Sequence, residues 1–126
     1  MKKKILVVDD EKAVRNSFLL TFEDSDYDVD TAESGTQGIS KVKNQEYALI
    51  FLDLKMPEMS GVETLKEIKK IKKNIPVYII TAFHKDFFHD LENAVNQGYE
   101  FELLQKPLKS DRLFEIVDNI LNRTNA

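Results

Sequence analysis

The chain has 126 residues, a formal net charge of −4, 32% charged and 42% hydrophobic residues, and no cysteine. This length and composition are ordinary for one globular domain, and the lack of cysteine excludes disulfides and thiolate metal sites. The acidic balance argues against direct nucleic-acid binding, which needs a concentrated basic surface. No stretch approaches the roughly 20 apolar residues that span a bilayer. We therefore expect one cytoplasmic domain over residues 1–126, with its core at 3–121 and no membrane partner.

Five short apolar runs alternate with amphipathic segments along the chain. The predicted strands are Lys4–Asp9, Tyr27–Ala32, Ala48–Asp53, Pro76–Thr81 and Phe101–Gln105. The first, third and fourth runs are almost continuously apolar, which is typical of central strands in a parallel sheet. The second run alternates apolar and polar residues, which favours an edge strand with one face in water.

The segments between the strands carry apolar residues at helical spacing. Ser34 with Gln37, and Ser60 with Glu63, have the spacing of a capping box at two helix starts. The run Lys66–Lys73 includes two isoleucines three residues apart, so we interpret its lysines as the solvated side of a helix, with a binding patch as the alternative. The alternation of strands and helices predicts a doubly wound α/β domain, a parallel sheet with helices on both faces.

Polar residues stand where four of the predicted strands end. Asp9 and Asp10 follow the first strand, Asp53 ends the third, Thr81 ends the fourth and Lys106 follows the fifth. Sites in open α/β sheets form beyond the carboxyl ends of the strands, so we expect these groups to lie close together. Two carboxylates about 4 Å apart repel by roughly 4 kcal/mol at an effective dielectric of 20, which Lys106 offsets only in part. Such a set of oxygen ligands favours a hard cation such as Mg²⁺.

A second interpretation is that Asp9 and Asp10 merely begin a helix, as acids at an N-cap and in a first turn often do. The matching polar groups at four strand ends favour a functional site instead. The two histidines, His84 and His89, are five positions apart and do not share a helix face well. We therefore do not expect them to form a metal site.

Four motifs in chain order resemble the receiver domain of bacterial and archaeal two-component response regulators. They are ILVVDDE at 5–11, LDLKMPEMSG at 52–61, IITA at 79–82 and QKPL at 105–108. The resemblance runs from about Lys3 to Leu121. It implies a flavodoxin-like fold, with five parallel strands in the order 2-1-3-4-5 and five helices in three layers.

The resemblance also implies roles for the residues at the strand ends. It makes Asp53 the acceptor of a phosphoryl group. It makes Asp9 and Asp10 ligands of Mg²⁺, together with the Asp53 carboxylate and the backbone carbonyl of Lys55. Thr81 is expected to form a hydrogen bond to the phosphoryl group.

Three further roles follow from the same resemblance. Lys106 is expected to pair with a phosphoryl oxygen, and Pro107 is expected to follow a cis peptide bond. The side chains of Lys55 and Phe83 are expected to border the path of the water that hydrolyses the phosphate. Plain surface positions are the alternative for these two residues.

The segment between Thr81 and Lys106 departs from the receiver pattern. Lys106 lies 25 positions after Thr81, a few more than in most receivers. Receivers carry an aromatic switch residue three positions before the lysine, where this chain has Leu103. Strand alternation puts residues 101 and 103 on one face, so Phe101 takes that role only if a β-bulge changes its direction. We favour a modified switch of Thr81, Phe101 and Leu103 over a bulge.

The leading functional hypothesis is a receiver that takes phosphate from a histidine kinase or a phosphotransfer protein and then changes a protein-binding face. It would act on a downstream protein as a stand-alone chain, or be a piece of a longer regulator with an effector domain. A pseudo-receiver that binds partners without carrying phosphate is the alternative. A phosphatase-like hydrolase would need a second acid two residues after Asp53, where Lys55 stands. We therefore expect no enzyme that turns over a separate substrate.

Overall fold

Five strands form one parallel sheet in the computed structural model, which describes residues 2–82 and 85–122. The strands are β1 (Lys3–Val8), β2 (Tyr27–Ala32), β3 (Leu49–Asp53), β4 (Val77–Thr81) and β5 (Glu102–Gln105). Their order across the sheet is β2-β1-β3-β4-β5, and each neighbouring pair is parallel. The predicted strand order is therefore confirmed.

Helices cover both faces of this sheet. They are α1 (Lys12–Phe22), α2 (Gly35–Asn44), α3 (Gly61–Ile71), α4 (Phe88–Asn96) and α5 (Ser110–Asn122), with a 3-10 turn (Lys85–Phe87) before α4. One hydrophobic cluster packs α1 and α5 against the sheet, and a second packs α2, α3 and α4 against the opposite face. The described part of the chain thus has the three-layer α/β architecture with five α-helices that the sequence predicts.

The burial of each strand follows its place in the sheet. β1 is buried from Ile5 to Val8, and every residue of β3 is buried. Strands that are covered on both faces need apolar side chains in both directions, which explains their unbroken apolar runs. β2 lies at the edge and keeps an exposed residue, Asp28, and several half-buried ones. The ends of all five strands lie within one residue of the prediction.

Two serines cap helices, as expected from their spacing. Ser60 Oγ accepts a hydrogen bond from Glu63 N–H at 3.2 Å, and Glu63 Oε1 accepts one from Ser60 N–H at 3.1 Å. Ser34 Oγ likewise accepts from Gln37 N–H at 3.1 Å, but the Gln37 side chain accepts from Glu33 N–H. The predicted capping box is complete at α3 and half formed at α2.

The helices present polar faces to solvent. Ile68 in α3 is fully buried and Lys70 is exposed, as expected for an amphipathic helix, whereas the exposed Lys73 lies beyond the end of the helix. Among the described residues, no helix combines the length and the apolar character that crossing a bilayer requires.

Candidate functional site at the carboxyl edge of the sheet

Four of the polar residues at the strand ends meet at one edge of the sheet. Asp9 follows β1, Asp53 is the last residue of β3, Thr81 is the last residue of β4, and Lys106 follows β5. Asp9, Asp53 and Thr81 are only 2%, 6% and 3% exposed. Asp53, Thr81 and Lys106 line a cavity of about 640 Å³ together with Asp10. The site is therefore a set of largely buried polar groups at the base of an open cavity.

A close approach between α3 and β3 holds the backbone of Asp53. The N–H of Gly61, the first residue of α3, donates to the carbonyl of Leu54 at 2.8 Å. A Cβ atom on Gly61 would lie 2.3 Å from the carbonyl oxygen of Asp53, well inside van der Waals contact. A residue without a side chain is required here because the helix start passes so near the strand end.

Lys106 joins the ends of the first, third and fifth strands. Its backbone N–H donates to the carbonyl of Thr81 at 2.8 Å, which fixes the end of β5 beside β4. Its ammonium lies 3.0 Å from Asp9 Oδ2, 3.1 Å from Asp53 Oδ1 and 3.4 Å from Glu11 Oε1. The peptide bond between Lys106 and Pro107 is cis. One ammonium thus faces the two buried carboxylates of Asp9 and Asp53 and the exposed carboxylate of Glu11.

The electrostatics of the site are dominated by burial. Desolvation, followed by the charge of Asp9, raises the pKa of Asp53 to about 6, although Lys106 acts in the opposite direction. Desolvation also raises the pKa of Asp9, against the hydrogen bonds from Glu11 N–H and Lys106. Burial lowers the pKa of Lys106, but its hydrogen bond to Asp9 and the charge of Asp53 outweigh this and raise it overall. The net result is a negative cluster that one lysine neutralises only in part.

Three carboxylates of this cluster are arranged so that they could hold a metal ion. Ligand oxygens of Asp9, Asp10 and Asp53 lie within 4.8 Å of one another. Asp10 is exposed, so the group is reachable from solvent. Mg²⁺ prefers carboxylate oxygens and retains several waters, so these residues fit Mg²⁺ better than a metal that prefers nitrogen or sulfur ligands.

The interpretation in which Asp9 and Asp10 begin the helix is wrong. α1 starts at Lys12, and Glu11 is its N-cap residue. The Asp9 carboxylate instead accepts hydrogen bonds from Glu11 N–H at 2.9 Å and from Lys106 at 3.0 Å. Neither acid caps α1, and the Asp9 carboxylate faces Lys106 at the strand ends.

The residues predicted to form the switch lie on β5 and just before it. Leu103 pairs with Ile79 and is 44% exposed, while Phe101 is partly buried against the cluster under α2, α3 and α4. The ladder between β4 and β5 runs without interruption from Glu102 to Gln105. The paired residues of β5 thus contain no bulge, and Phe101 lies just before the first of them.

Other predicted positions lie around the cavity. Lys55 is exposed and lines it. His89 is exposed on α4. Phe83 and His84 lie outside the described residues, so the role expected for Phe83 stays a prediction.

Several contacts at the site are not foreseen from the sequence. Glu11 is the N-cap residue of α1, but its side chain makes no capping hydrogen bond and contacts Lys106 instead. Asp86 and Phe87, from the 3-10 turn before α4, line the cavity. The extra length between Thr81 and Lys106 was the available signal for such a wall. The contact of Arg15 with the Asp9 carbonyl had no signal in the sequence pattern.

A family profile described as the response regulator receiver domain matches residues 5–118. The chain belongs to this family. Response regulator receivers are parts of two-component systems, and accepting phosphate is a generic property of the family. The resemblance drawn from the four sequence motifs is therefore confirmed.

Curated response regulators are similar to this receiver over part of their own length. The chain is 37% identical over 124 residues to the alkaline phosphatase synthesis transcriptional regulatory protein PhoP of Bacillus subtilis, covering 98% of this chain and 50% of PhoP. Across the curated relatives it matches, the chain spans between 26% and 53% of their length. The similarity thus concerns the receiver portion of these longer proteins.

Solved structures share the receiver fold over nearly the whole chain. A CheY-like receiver domain protein from Methanospirillum hungatei JF-1 superposes with a TM-score of 0.86 at 26% identity, covering 99% of this chain and 98% of that one. CheY of Borrelia burgdorferi was solved in a complex with CheX, BeF3 and Mg²⁺. It superposes with a TM-score of 0.79 at 25% identity, and the match covers 94% of this chain and 89% of that one. The flavodoxin-like fold predicted from the motifs is therefore confirmed.

Proposed function

We propose that this receiver accepts a phosphoryl group on Asp53 from a histidine kinase or a phosphotransfer protein. The observation that carries the proposal is a buried carboxylate at the end of β3, 3.1 Å from the ammonium of Lys106, in a cavity open to solvent. A nucleophile must be ionised and reachable. With a pKa of about 6, the Asp53 carboxylate is mostly ionised at neutral pH, as a nucleophile must be.

In the proposed transfer, an oxygen of Asp53 attacks phosphorus in line with the leaving imidazole nitrogen, so that an O–P bond forms while the P–N bond breaks. The ammonium of Lys106 offsets charge on one phosphoryl oxygen. Thr81, at the end of the neighbouring strand, forms a hydrogen bond to another. Water later hydrolyses the acyl phosphate in the same cavity. The protein thus catalyses changes of its own side chain and turns over no separate substrate.

We further propose that Asp9, Asp10, Asp53 and the backbone carbonyl of Lys55 hold Mg²⁺. The clustering of the three carboxylates within 4.8 Å supports this, as does the similarity to the B. burgdorferi CheY complex that contains Mg²⁺. When bound, the ion neutralises negative charge on the phosphoryl oxygens. It would also relieve the repulsion among the three acids, which Lys106 alone relieves only in part.

The signal is proposed to leave the site through Thr81 and β5. Leu103 stands where receivers carry an aromatic residue, and its 44% exposure leaves it free to move without opening the core. Phe101, two residues before Leu103, packs against the hydrophobic cluster under α2, α3 and α4. We therefore propose a modified switch, in which Thr81 moves toward the phosphate and Leu103, not an aromatic ring, follows it.

The setting of the domain is proposed from the same family. We expect the receiver to occupy residues 1–126, to lie in the cytoplasm, and to act on a downstream protein or on an effector domain of a longer regulator. The chain spans a quarter to a half of relatives that are named as transcriptional regulators. This supports the arrangement in which the receiver acts on an effector domain of a longer regulator. We expect no direct binding of nucleic acid by this acidic domain.

Incubation with Mg²⁺ and acetyl phosphate, followed by intact mass measurement, tests the proposal. We expect a gain of one phosphate in the wild type and none in Asp53→Ala. Asp28→Ala, which removes an exposed acid of β2, is the matched control and should be phosphorylated like the wild type. No gain in the wild type would favour a pseudo-receiver, and steady release of phosphate without protein-bound phosphate would favour a hydrolase.

A further inference from the structure

Arg15, in the first turn of α1, reaches back to the backbone of the acidic loop. Its Nη1 donates to the carbonyl oxygen of Asp9 at 2.9 Å, and its Nη2 lies 3.5 Å from Glu33 Oε1. The Arg15 side chain is 13% exposed, whereas that of Glu33 is 71% exposed. The contact with Asp9 is therefore the sheltered one, and the ion pair lies at the surface, where such pairs contribute little.

The contact with Arg15 satisfies the one polar group of Asp9 that its other hydrogen bonds leave over, the carbonyl oxygen. Its N–H donates to Ala32 O at 3.0 Å, its Oδ1 accepts from Glu11 N–H at 2.9 Å and its Oδ2 accepts from Lys106 at 3.0 Å. Asp9 is a buried residue that lies just beyond the last residue of β1, so its carbonyl needs a partner other than a regular ladder hydrogen bond. Arg15 supplies that partner and completes the hydrogen bonding of the residue.

The direction of the Asp9 carbonyl also determines the position of Asp10. The peptide group that links them is planar, so fixing the Asp9 oxygen fixes the nitrogen and Cα of Asp10. Those atoms carry the carboxylate that stands exposed beside Asp9 and Asp53. Arg15 thus helps to fix the positions of Asp9 and Asp10 through the backbone. Its contacts with the described residues are to the Asp9 carbonyl and to Glu33, and not to a carboxylate of the cluster.

We propose that Arg15 is a positioning residue for the Mg²⁺ site, acting through the backbone of Asp9. The inference rests on the proposed function, because it concerns the ion bound by Asp9, Asp10 and Asp53. Groups that orient metal ligands typically change metal affinity 10- to 100-fold when they are removed. Arg15→Met, which keeps a long apolar side chain but removes the donors, should therefore weaken Mg²⁺ binding about tenfold.

Charge alone predicts the opposite sign. A guanidinium near a cation site repels the cation, so its loss should strengthen Mg²⁺ binding. Positioning predicts that affinity falls from the wild type to Arg15→Lys and again to Arg15→Met, because lysine keeps a charged donor group but lacks the fixed fork of the guanidinium. A charge effect predicts that Arg15→Met binds more tightly than the wild type and Arg15→Lys. A purely structural role predicts lower stability at unchanged affinity.

The test is calorimetric titration of Mg²⁺ into the metal-free full chain, with the Mg²⁺-induced shift of the Asp10 amide resonance as a second readout. Urea unfolding without metal separates loss of stability from loss of affinity. Glu33→Gln, which removes the exposed partner of Arg15, should bind Mg²⁺ like the wild type. Arg15→Leu, which also lacks donors, replaces Arg15→Met if the latter does not fold.

Weaker binding by Arg15→Met, partly restored in Arg15→Lys, supports the inference. Equal or tighter binding by Arg15→Met overturns it and leaves the proposed function intact, provided that the wild type binds Mg²⁺ and is phosphorylated. A wild type that does not bind Mg²⁺ overturns both the metal site and this inference. Phosphorylation of Asp53 would then be tested independently, by intact mass.

Discussion

Replacing Asp53 by asparagine removes a charge from the base of the cavity while keeping the shape of the side chain. The Asp53 side chain is 7% exposed and lies beside the buried Asp9. Burial and the charge of Asp9 both disfavour its ionised form, and Lys106, at 3.1 Å, compensates only in part. We therefore expect Asp53→Asn to be more stable than the wild type at neutral pH in the absence of metal.

The magnitude follows from the pKa of this group. In the folded chain it is raised to about 6 from an ordinary value of 3.8. A proton that binds more tightly to the folded chain stabilises it fully below the ordinary pKa, and this stabilisation is lost as the pH rises through the folded-state pKa. A difference of roughly two units corresponds to about 3 kcal/mol. The wild type should lose this amount between about pH 4 and pH 7, and Asp53→Asn should not.

Urea unfolding followed by far-UV circular dichroism, with EDTA present, measures the effect at several pH values. The difference in unfolding free energy between Asp53→Asn and the wild type should grow by about 3 kcal/mol from pH 4 to pH 7. Asp28→Asn, at an exposed position of β2, controls for the general effect of removing one acid. A difference that stays constant with pH, or that shrinks, would refute the crowded-carboxylate description of the site.

Three further substitutions test single features of the site. Lys106→Met should lower the unfolding free energy by about 3 kcal/mol at neutral pH, because it leaves two buried carboxylates without their ammonium. Urea unfolding measures this loss, and an unchanged stability would contradict the prediction. Gly61→Ala should cost about 1–3 kcal/mol, since its Cβ would lie 2.3 Å from the Asp53 carbonyl; a neutral substitution would show that α3 shifts freely. Lys55→Ala should shorten the lifetime of the phosphorylated protein several-fold, because Lys55 lines the cavity through which water enters. Loss of label over time measures that lifetime, and an equal lifetime would make Lys55 a plain surface position.

The parts of the fold that the sequence predicts are those that depend on periodicity and topology. β1 and β3 are covered on both faces, so their apolar runs stand out and their bounds are predicted within one residue. Parallel strands all end at the same edge of the sheet. Polar residues at successive strand ends must therefore converge, which brings Asp9, Asp53 and Lys106 together.

The contacts that the sequence does not predict depend on the paths of loops and long side chains. Glu11 could equally well have capped α1, and its contact with Lys106 follows from the direction in which the loop leaves β1. The reach of Arg15 to the Asp9 carbonyl crosses six positions and has no periodic signature. The position of Asp86 in the cavity wall was not predicted either. The extra length before Lys106 indicates an insertion, but length alone does not say where the inserted turn lies.

The central claim, that Asp53 carries the phosphate, is tested most directly by trapping the acyl phosphate chemically. Borohydride reduces an aspartyl phosphate to homoserine, so peptide mass spectrometry after incubation with acetyl phosphate and Mg²⁺ identifies the modified position. We predict homoserine at position 53 in the wild type, and its absence when phosphodonor is omitted. Homoserine at another acid of the cluster, such as Asp9 or Asp10, or at no position, would contradict the account.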